Sequence, residues 1–331
     1  MNKKQVSMQY IADKVGVSKV TVSKALNSLP GVSSELRKKI TDMSLELGYQ
    51  KKSSSKKAQN ILILMSKRFF IEDENFYKVI LYYLNDICAK SGYSSNFYIL
   101  DEKADIEMSI INSLTSGSIT GICILGEIHK EYITKLLKYN ILIVGIDFYM
   151  PDVNVSFVIN DNYLAAYFAT IHLINLGHNR IGFSGDVKHS QNVFDRFMGY
   201  KKALMQNNIV FDESLIIHES NIDNIFFPNF TLPENMPSAF FCHCDKAAYM
   251  LIKRLQDMGY KIPEDISVIG FDNTELSQKS VPAITTINID KKAMATKAFD
   301  LLTSLFEDQA HLGEIITLNC KLIKRDSTNE K

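Results

Sequence analysis

Two kinds of hydrophobic patterning divide the chain. In the first fifty residues apolar positions return at helical spacing. Met8, Ile11, Ala12 and Val15 share one side of a segment that Ser7 can cap and Gly16 can end. Ser18 can cap a second helix running through Asn27, with Val22, Ala25 and Leu26 facing inward. A third helix is predicted from Ser33 or Ser34 to Leu47. There Leu36, Ile40, Met43 and Leu47 follow the i, i+4, i+7, i+11 series, and Gly48 stops it. From Asn60 short apolar runs take over: Ile61–Met65, Asn96–Leu100, Gly121–Leu125, Ile141–Ile146, Arg180–Ser184, Ser214–Ile217, Ser238–Cys242 and Ile266–Phe271. Helical stripes lie between them, as in Phe76, Val79, Ile80, Tyr83, Leu84, Ile87 and Cys88. Such alternation over about 260 residues predicts parallel sheets with helices on both faces, and the length predicts two lobes.

Charge sharpens this division. The formal net charge is zero, yet residues 1–57 carry twelve Lys/Arg and four acids, a net of +8, leaving −8 for the remainder. A basic head on an acidic body suits a protein whose head alone meets a polyanion, although a solvated basic helical surface would look the same. Five scattered cysteines, no long apolar run and no signal-like amino terminus lead to the expectation of a cytoplasmic protein with no membrane segment.

Two helices joined through Gly16, the second opened by a capping serine, form a helix-turn-helix. The string Tyr10-Ile11-Ala12-Asp13-Lys14-Val15-Gly16-Val17-Ser18, then Thr21-Val22-Ser23-Lys24-Ala25-Leu26-Asn27, Val32-Ser33 and Gly48-Tyr49, closely resembles the DNA-binding head of lac-repressor-type regulators. The resemblance implies that Lys19, Val20 and Lys24 read bases, and that Ser18, Thr21, Asn27 and Tyr49 grip the backbone of double-stranded operator DNA. Lys24 departs from the family's usual Arg. A single ammonium cannot read guanine bidentately, so the half-site is expected to be relaxed or altered. The linker Gln50–Ala58 is Ser- and Lys-rich and lacks the family's Leu wedge, so a hinge helix is not expected and operator bending should be small.

The body also resembles this family, and through it the periplasmic sugar-binding fold. The stretches are Asp161-Asn162, His172-Leu173, Leu176-Gly177-His178, Arg180–Phe183, Arg196–Tyr200, and Ile262–Asp272 continuing to Pro282–Ile287. The whole chain is therefore read as an all-α helix-turn-helix head on an α/β, two-lobed, periplasmic-binding-protein-like body. The head is expected at 1–49, the linker at 50–59, the first lobe at 60–161 and 289–323, the second at 162–288, and a polar tail at 324–331. That fold binds ligands between lobes at the carboxyl ends of strands. Asp147 and Asp272 follow apolar runs there, and Arg196 opens a helix, so two acceptors and a donor fork suit a hydroxyl-rich effector. Phe76, Tyr77 or Phe271 could stack on a sugar. Cys244 stands where relatives carry an Asn, which removes one amide. Glu219–Pro237, broken by Pro228 and Pro233, is too short for the helix that relatives carry there.

The linker, Asp147-Phe148 and Asn75-Phe76-Tyr77 resemble the subgroup near the evolved-β-galactosidase repressor and galactose-operon regulators, which implies a galactose-type sugar. No cofactor is expected, and no P-loop, GxGxxG or nucleophile elbow suggests an enzyme. Cys242-His243-Cys244-Asp245 looks like a metal cluster but has no second Cys/His pair at ligand spacing. The remaining alternative is a global carbon-catabolite regulator docked by a phosphocarrier protein. Relatives of that kind carry Arg and Lys where this chain has Asp300 and Ser304. The reading is a homodimeric repressor of carbohydrate-utilisation genes. The tail lacks heptads for a further coil.

Overall fold

Gly16, at φ +75°, ends α1 (Met8–Val15) and turns the chain into α2 (Lys19–Leu26), and α3 (Ser34–Glu46) closes the head. Ile11, Ala12, Val22, Ala25 and Ile40 bury against one another between these helices. The computed structural model describes residues 8–26, 31–46, 59–72, 75–101, 108–188, 190–218 and 231–331. The helix ends expected at Ser7, Asn27 and Leu47-Gly48, the backbone contact at Tyr49, the linker to Ala58, and residues 219–230 lie outside these. Met1–Lys57 and Ala58–Lys331 form two separate units, each described by itself.

In the body, β1 (Asn60–Ser66) leads through α4 (Lys67–Glu72) and α5 (Phe76–Lys90) to β2 (Ser94–Leu100). Then come α6 (Met108–Thr115), β3 (Gly121–Leu125), α7 (Lys130–Leu137), β4 (Leu142–Ile146) and β5 (Ser156–Asn160). The chain crosses to α8 (Asn162–Asn175), β6 (Ile181–Ser184), α9 (Gln191–Gln206), β7 (Ile216–Ile217), β8 (Ala239–Cys242), α10 (Asp245–Asp257), β9 (Ser267–Asp272), α11 (Glu275–Lys279) and β10 (Thr285–Asn288). It returns through α12 (Lys291–Glu307) and β11 (Ile315–Leu318), then crosses once more to β12 (Lys321–Ile323). Among the described residues the first sheet runs β11-β5-β4-β3-β1-β2 and the second β12-β10-β9-β8-β6-β7. Every pairing is parallel except β10–β12.

The apolar runs are continuous because these strands are covered on both faces. Ile61, Ile63 and Met65 join one core and Leu62 and Leu64 the other, as period-two alternation requires. Two of the crossings end in Asp-capped helices. Asp161 Oδ1 accepts from Leu164 N at 2.9 Å, and Asp290 Oδ1 from Ala293 N at 2.9 Å.

Three expectations change here. The run Ser214–Ile217 is a 3-10 turn at Glu213–Leu215 with only Ile216–Ile217 extended. Lys321–Ile323 belongs to the second sheet, not the first lobe, because the chain recrosses after β11 and pairs antiparallel with β10. The polar tail is a strap packed on the second lobe. Ser327 is fully buried and bonds both Val268 O and Thr285 N, and Lys331 N reaches Leu176 O. Its polarity serves buried backbone groups, a role composition cannot distinguish from solvation. No helix among the described residues is long and apolar enough to cross a membrane.

Candidate functional site

The head presents one polar helix end. Ser18 Oγ accepts from Thr21 N at 3.0 Å and lies 2.8 Å from Thr21 Oγ1, so the cap of α2 forms as its sequence requires. From α3, Arg37 donates to the carbonyls of Lys24 and Ala25 at 3.3 and 3.0 Å and satisfies the other end of α2. With Val22 and Ala25 buried, Lys19, Val20 and Lys24 are turned outward. Val20 is 63% exposed, unusually so for a large apolar side chain.

The body gathers its polar residues between the lobes. Asp147, the residue after β4, is held at φ +65° by Asp147 N donating to Val158 O. Its carboxylate accepts from Tyr77 Oη at 2.9 Å and Asn160 Nδ2 at 3.2 Å. Tyr77 reaches it from the first turn of α5. From the second lobe, α9 supplies Arg196, which is 5% exposed. Its Nε donates to Asn162 Oδ1 at 2.8 Å, one Nη to His243 O at 2.5 Å, and the other lies 3.4 Å from Asp272 Oδ1. A relay of amides then links the lobes. Asn162 donates to Asn192 Oδ1 at 3.1 Å, and Asn192 donates to Asp147 O at 2.7 Å. Lys291, at the start of α12, donates to Asp272 O at 2.6 Å and lies 5.1 Å above the Phe76 ring.

Backbone strain concentrates here. Of the six non-glycine residues with positive φ among those described, Asn75, Asp147, Asp272 and Asn273 belong to this region. Each such residue costs about 1–3 kcal/mol and persists only where its surroundings hold it. A pocket of about 490 Å³ opens beside the cluster, lined by Asn75, Phe76, Asn273, Thr274, Glu275 and Lys291 among others. A second pocket, of about 560 Å³, lies between Tyr149 and Met150 of one lobe and Gln191 and Phe194 of the other.

The cluster joins four of the seven residues expected at an effector site: Tyr77, Asp147, Arg196 and Asp272. Phe76 lines the neighbouring pocket. Phe271 differs from expectation. It is fully buried with the Arg196 guanidinium 3.8 Å above its ring, so it is the platform for Arg196 and has no face for a sugar. Cys244 caps α10, its sulfur accepting from Ala247 N at 3.4 Å. Cys242 is buried in the apolar core under α10, and Cys244 packs against the same core. Sequence reasoning passed over Asn160, Asn192 and Lys291. All three sit within a few residues of an element boundary, the one signal that could have marked them.

Burial pushes Asp147 up to about 6. Arg196 opposes the rise, Asp272 adds to it, and the bonds from Tyr77 and Asn160 resist it. Asp245, wholly buried beneath the turn after β9, rises to about 7 for the same first reason, with Asp272 adding to it. Because Asp147 holds its proton more tightly when folded, its contribution to stability is fullest below the ordinary 3.8 and is lost as pH rises through 6. Asp147→Asn cannot titrate. The stability of the natural protein relative to this variant should therefore be greater at pH 5 than at pH 7.5, by about 1–2 kcal/mol. Urea unfolding at both pH values measures the difference, and an unchanged gap would refute the assignment.

Comparisons with known proteins agree on one family. Residues 7–52 match the model for bacterial regulatory proteins of the lacI family, and residues 170–328 match a periplasmic binding protein-like domain. The chain is 32% identical to the NTD biosynthesis operon regulator NtdR of Bacillus subtilis, over 97% of this chain and 99% of that one. Its fold is similar to the transcriptional regulator CelR in complex with cellobiose, with a TM-score of 0.69 and 21% identity over 97% and 99% of the two chains. It is likewise similar to the lac repressor dimer bound to operator and the anti-inducer ONPF, with a TM-score of 0.68 and 21% identity over 98% and 100%. A helix-turn-helix head with an exposed second helix, joined to a two-lobed body with a polar cluster between its sheets, belongs to a DNA-binding transcriptional regulator with a ligand-binding domain, and this chain is a member of the lacI family.

Proposed function

We propose that this protein is a dimeric cytoplasmic repressor of carbohydrate-utilisation genes whose operator affinity is set by a sugar-like effector bound between its lobes. The observation that carries the reading is the convergence of Asp147, Arg196 and Asp272, from both lobes, on strained backbone beside a pocket. Two carboxylates and a guanidinium fork match the alternating donors and acceptors of a polyol. The saccharide in the CelR complex supports that class, and a galactose-type sugar is the first candidate. A coupling of about 1–3 kcal/mol between cleft and head would change operator affinity about 5–150-fold. A thermal-shift panel of sugars, sugar phosphates and nucleosides tests this, with operator binding measured for each hit. If no compound both stabilises the body and alters operator binding, the reading fails. Docking by a phosphocarrier protein is the rival. Asp300 is exposed on α12 where that mode calls for a cation, and a pull-down with the phosphorylated carrier separates the two.

On DNA, Lys19, Val20 and Lys24 read bases while Ser18 and Thr21 hold phosphates. Asn27, Tyr49 and the basic linker would add backbone contacts. Lys24→Arg supplies the fork that reads guanine. It should raise affinity for a guanine-bearing half-site about fivefold or more over the natural protein and narrow the base preference. Selection of binding sites from a random duplex pool checks this, and an unchanged preference would remove Lys24 from the base-reading set.

A further inference from the structure

The turn leaving β9 is the most strained part of the site. Asp272 and Asn273 are consecutive non-glycine residues at φ +100° and +48°, and together they aim the Asp272 carboxylate at Arg196. Groups from several elements hold this turn. Thr274 N donates to Asp245 Oδ2 at 2.6 Å, Asn273 Nδ2 to Asn288 Oδ1 at 2.7 Å, and Lys291 Nζ to Asp272 O at 2.6 Å. The last holder comes from the strap beyond the final crossover. Arg325 Nη2 donates to Asn273 Oδ1 at 2.6 Å. Its other arm donates to Ile284 O at 2.8 Å and Ser277 Oγ at 3.2 Å, while Arg325 N bonds Thr285 Oγ1 at 2.9 Å. One planar fork thus ties the turn to α11 and to the entry of β10. A lysine cannot reproduce that span, because its ammonium is a single point on a flexible stem.

We propose that Arg325 is a positioning residue for the effector cleft: through Asn273 it holds Asp272 and Asn273 in the left-handed geometry that presents the Asp272–Thr274 turn to the ligand. The inference rests on the reading of the cleft as an effector site. It also gives the strap a function, since the segment that follows the last crossover between lobes reaches back to set one wall of the pocket.

Hydrogen exchange of the full-length protein tests this without a ligand. In Arg325→Met the amides of Asn273 and Thr274 should exchange about tenfold faster or more, with those of β6 and β8 changed less than about twofold. Arg325→Lys should not restore protection. Asn273→Gly accepts the positive φ but removes the acceptor, so it should loosen the turn similarly, and Arg325→Met should add little in that background. D-galactose serves as the ligand probe. If it binds the natural protein, Arg325→Met should weaken it about tenfold while leaving sugar-free operator binding unchanged. Failure of galactose to bind the natural protein counts against the galactose reading alone, and exchange then decides the role of Arg325. Unchanged protection at 273–274, or loss spread equally through β6, β8 and β9, overturns the proposal.

Discussion

Arg196→Met should lower the stability of the body by about 3–5 kcal/mol, the range found when one partner of a buried ion pair is removed. The side chains of Arg196 and Asp272 are 6% and 14% exposed, so little water is available to replace the lost partner. Methionine fills much of the volume and keeps a contact on Phe271, which isolates the charge and the hydrogen bonds as the cause. Three groups lose a donor: Asn162 Oδ1, His243 O and the Asp272 carboxylate. Asp147 also loses the cation that restrains its pKa, so it should hold its proton to higher pH than in the natural protein. Effector response should vanish with the fork. Urea unfolding of the body, followed across pH, gives both results. A variant within about 1 kcal/mol of the natural protein would show that the pair contributes little net stability.

Gly199→Ala is the second large effect, expected to cost about 3 kcal/mol, at the upper end for overpacking a tight interface. Gly199 lies inside α9, where alanine would ordinarily favour the helix by up to about 1 kcal/mol. Here its Cβ would stand 2.1 Å from Tyr163 O and 3.0 Å from Ala166 Cβ on α8. A backbone oxygen cannot rotate aside, so the two helices must separate. The melting temperature should fall by roughly 5–10 °C for a unit of this size. Because α9 also carries Asn192 and Arg196, the shift should weaken effector response beyond the loss of stability. Met205→Ala, at a position 69% exposed on the same helix, serves as the near-neutral control. If Gly199→Ala melts within a degree or so of the natural protein, the close approach is not rigid.

Legibility followed burial. Ile61–Met65, Gly121–Leu125 and Ile266–Phe271 were readable as strands because a strand covered on both faces must be apolar at every position. Two of the sheet edges left no such mark. β11 alternates exposed and half-buried residues and β12 has no fully buried one, so neither announces itself. In the head, Ser18 and Gly16 act through their own local chemistry, and the cap and turn appear where the sequence puts them. The site was half legible. Asp147, Asp272 and Arg196 could be named from strand ends and resemblance, but Phe271 could not be distinguished as a platform and not a ligand contact.

Local sequence determined what depends on neighbours a few residues away: the three-helix head with its outward Lys19, Val20 and Lys24, the order of buried strands, and the carboxylates that follow them. Tertiary structure alone decided what depends on residues far apart in the chain. It brought Asp147 and Arg196 together through Asn162 and Asn192, laid Arg196 on Phe271, returned Lys321–Ile323 to the second sheet, and placed Arg325 behind Asn273. The physical reason is range. Periodicity and capping energies are set within a helical turn or a strand, whereas a hydrogen bond between a strap and a turn fifty-two residues away exists only once both have packed onto the same sheet.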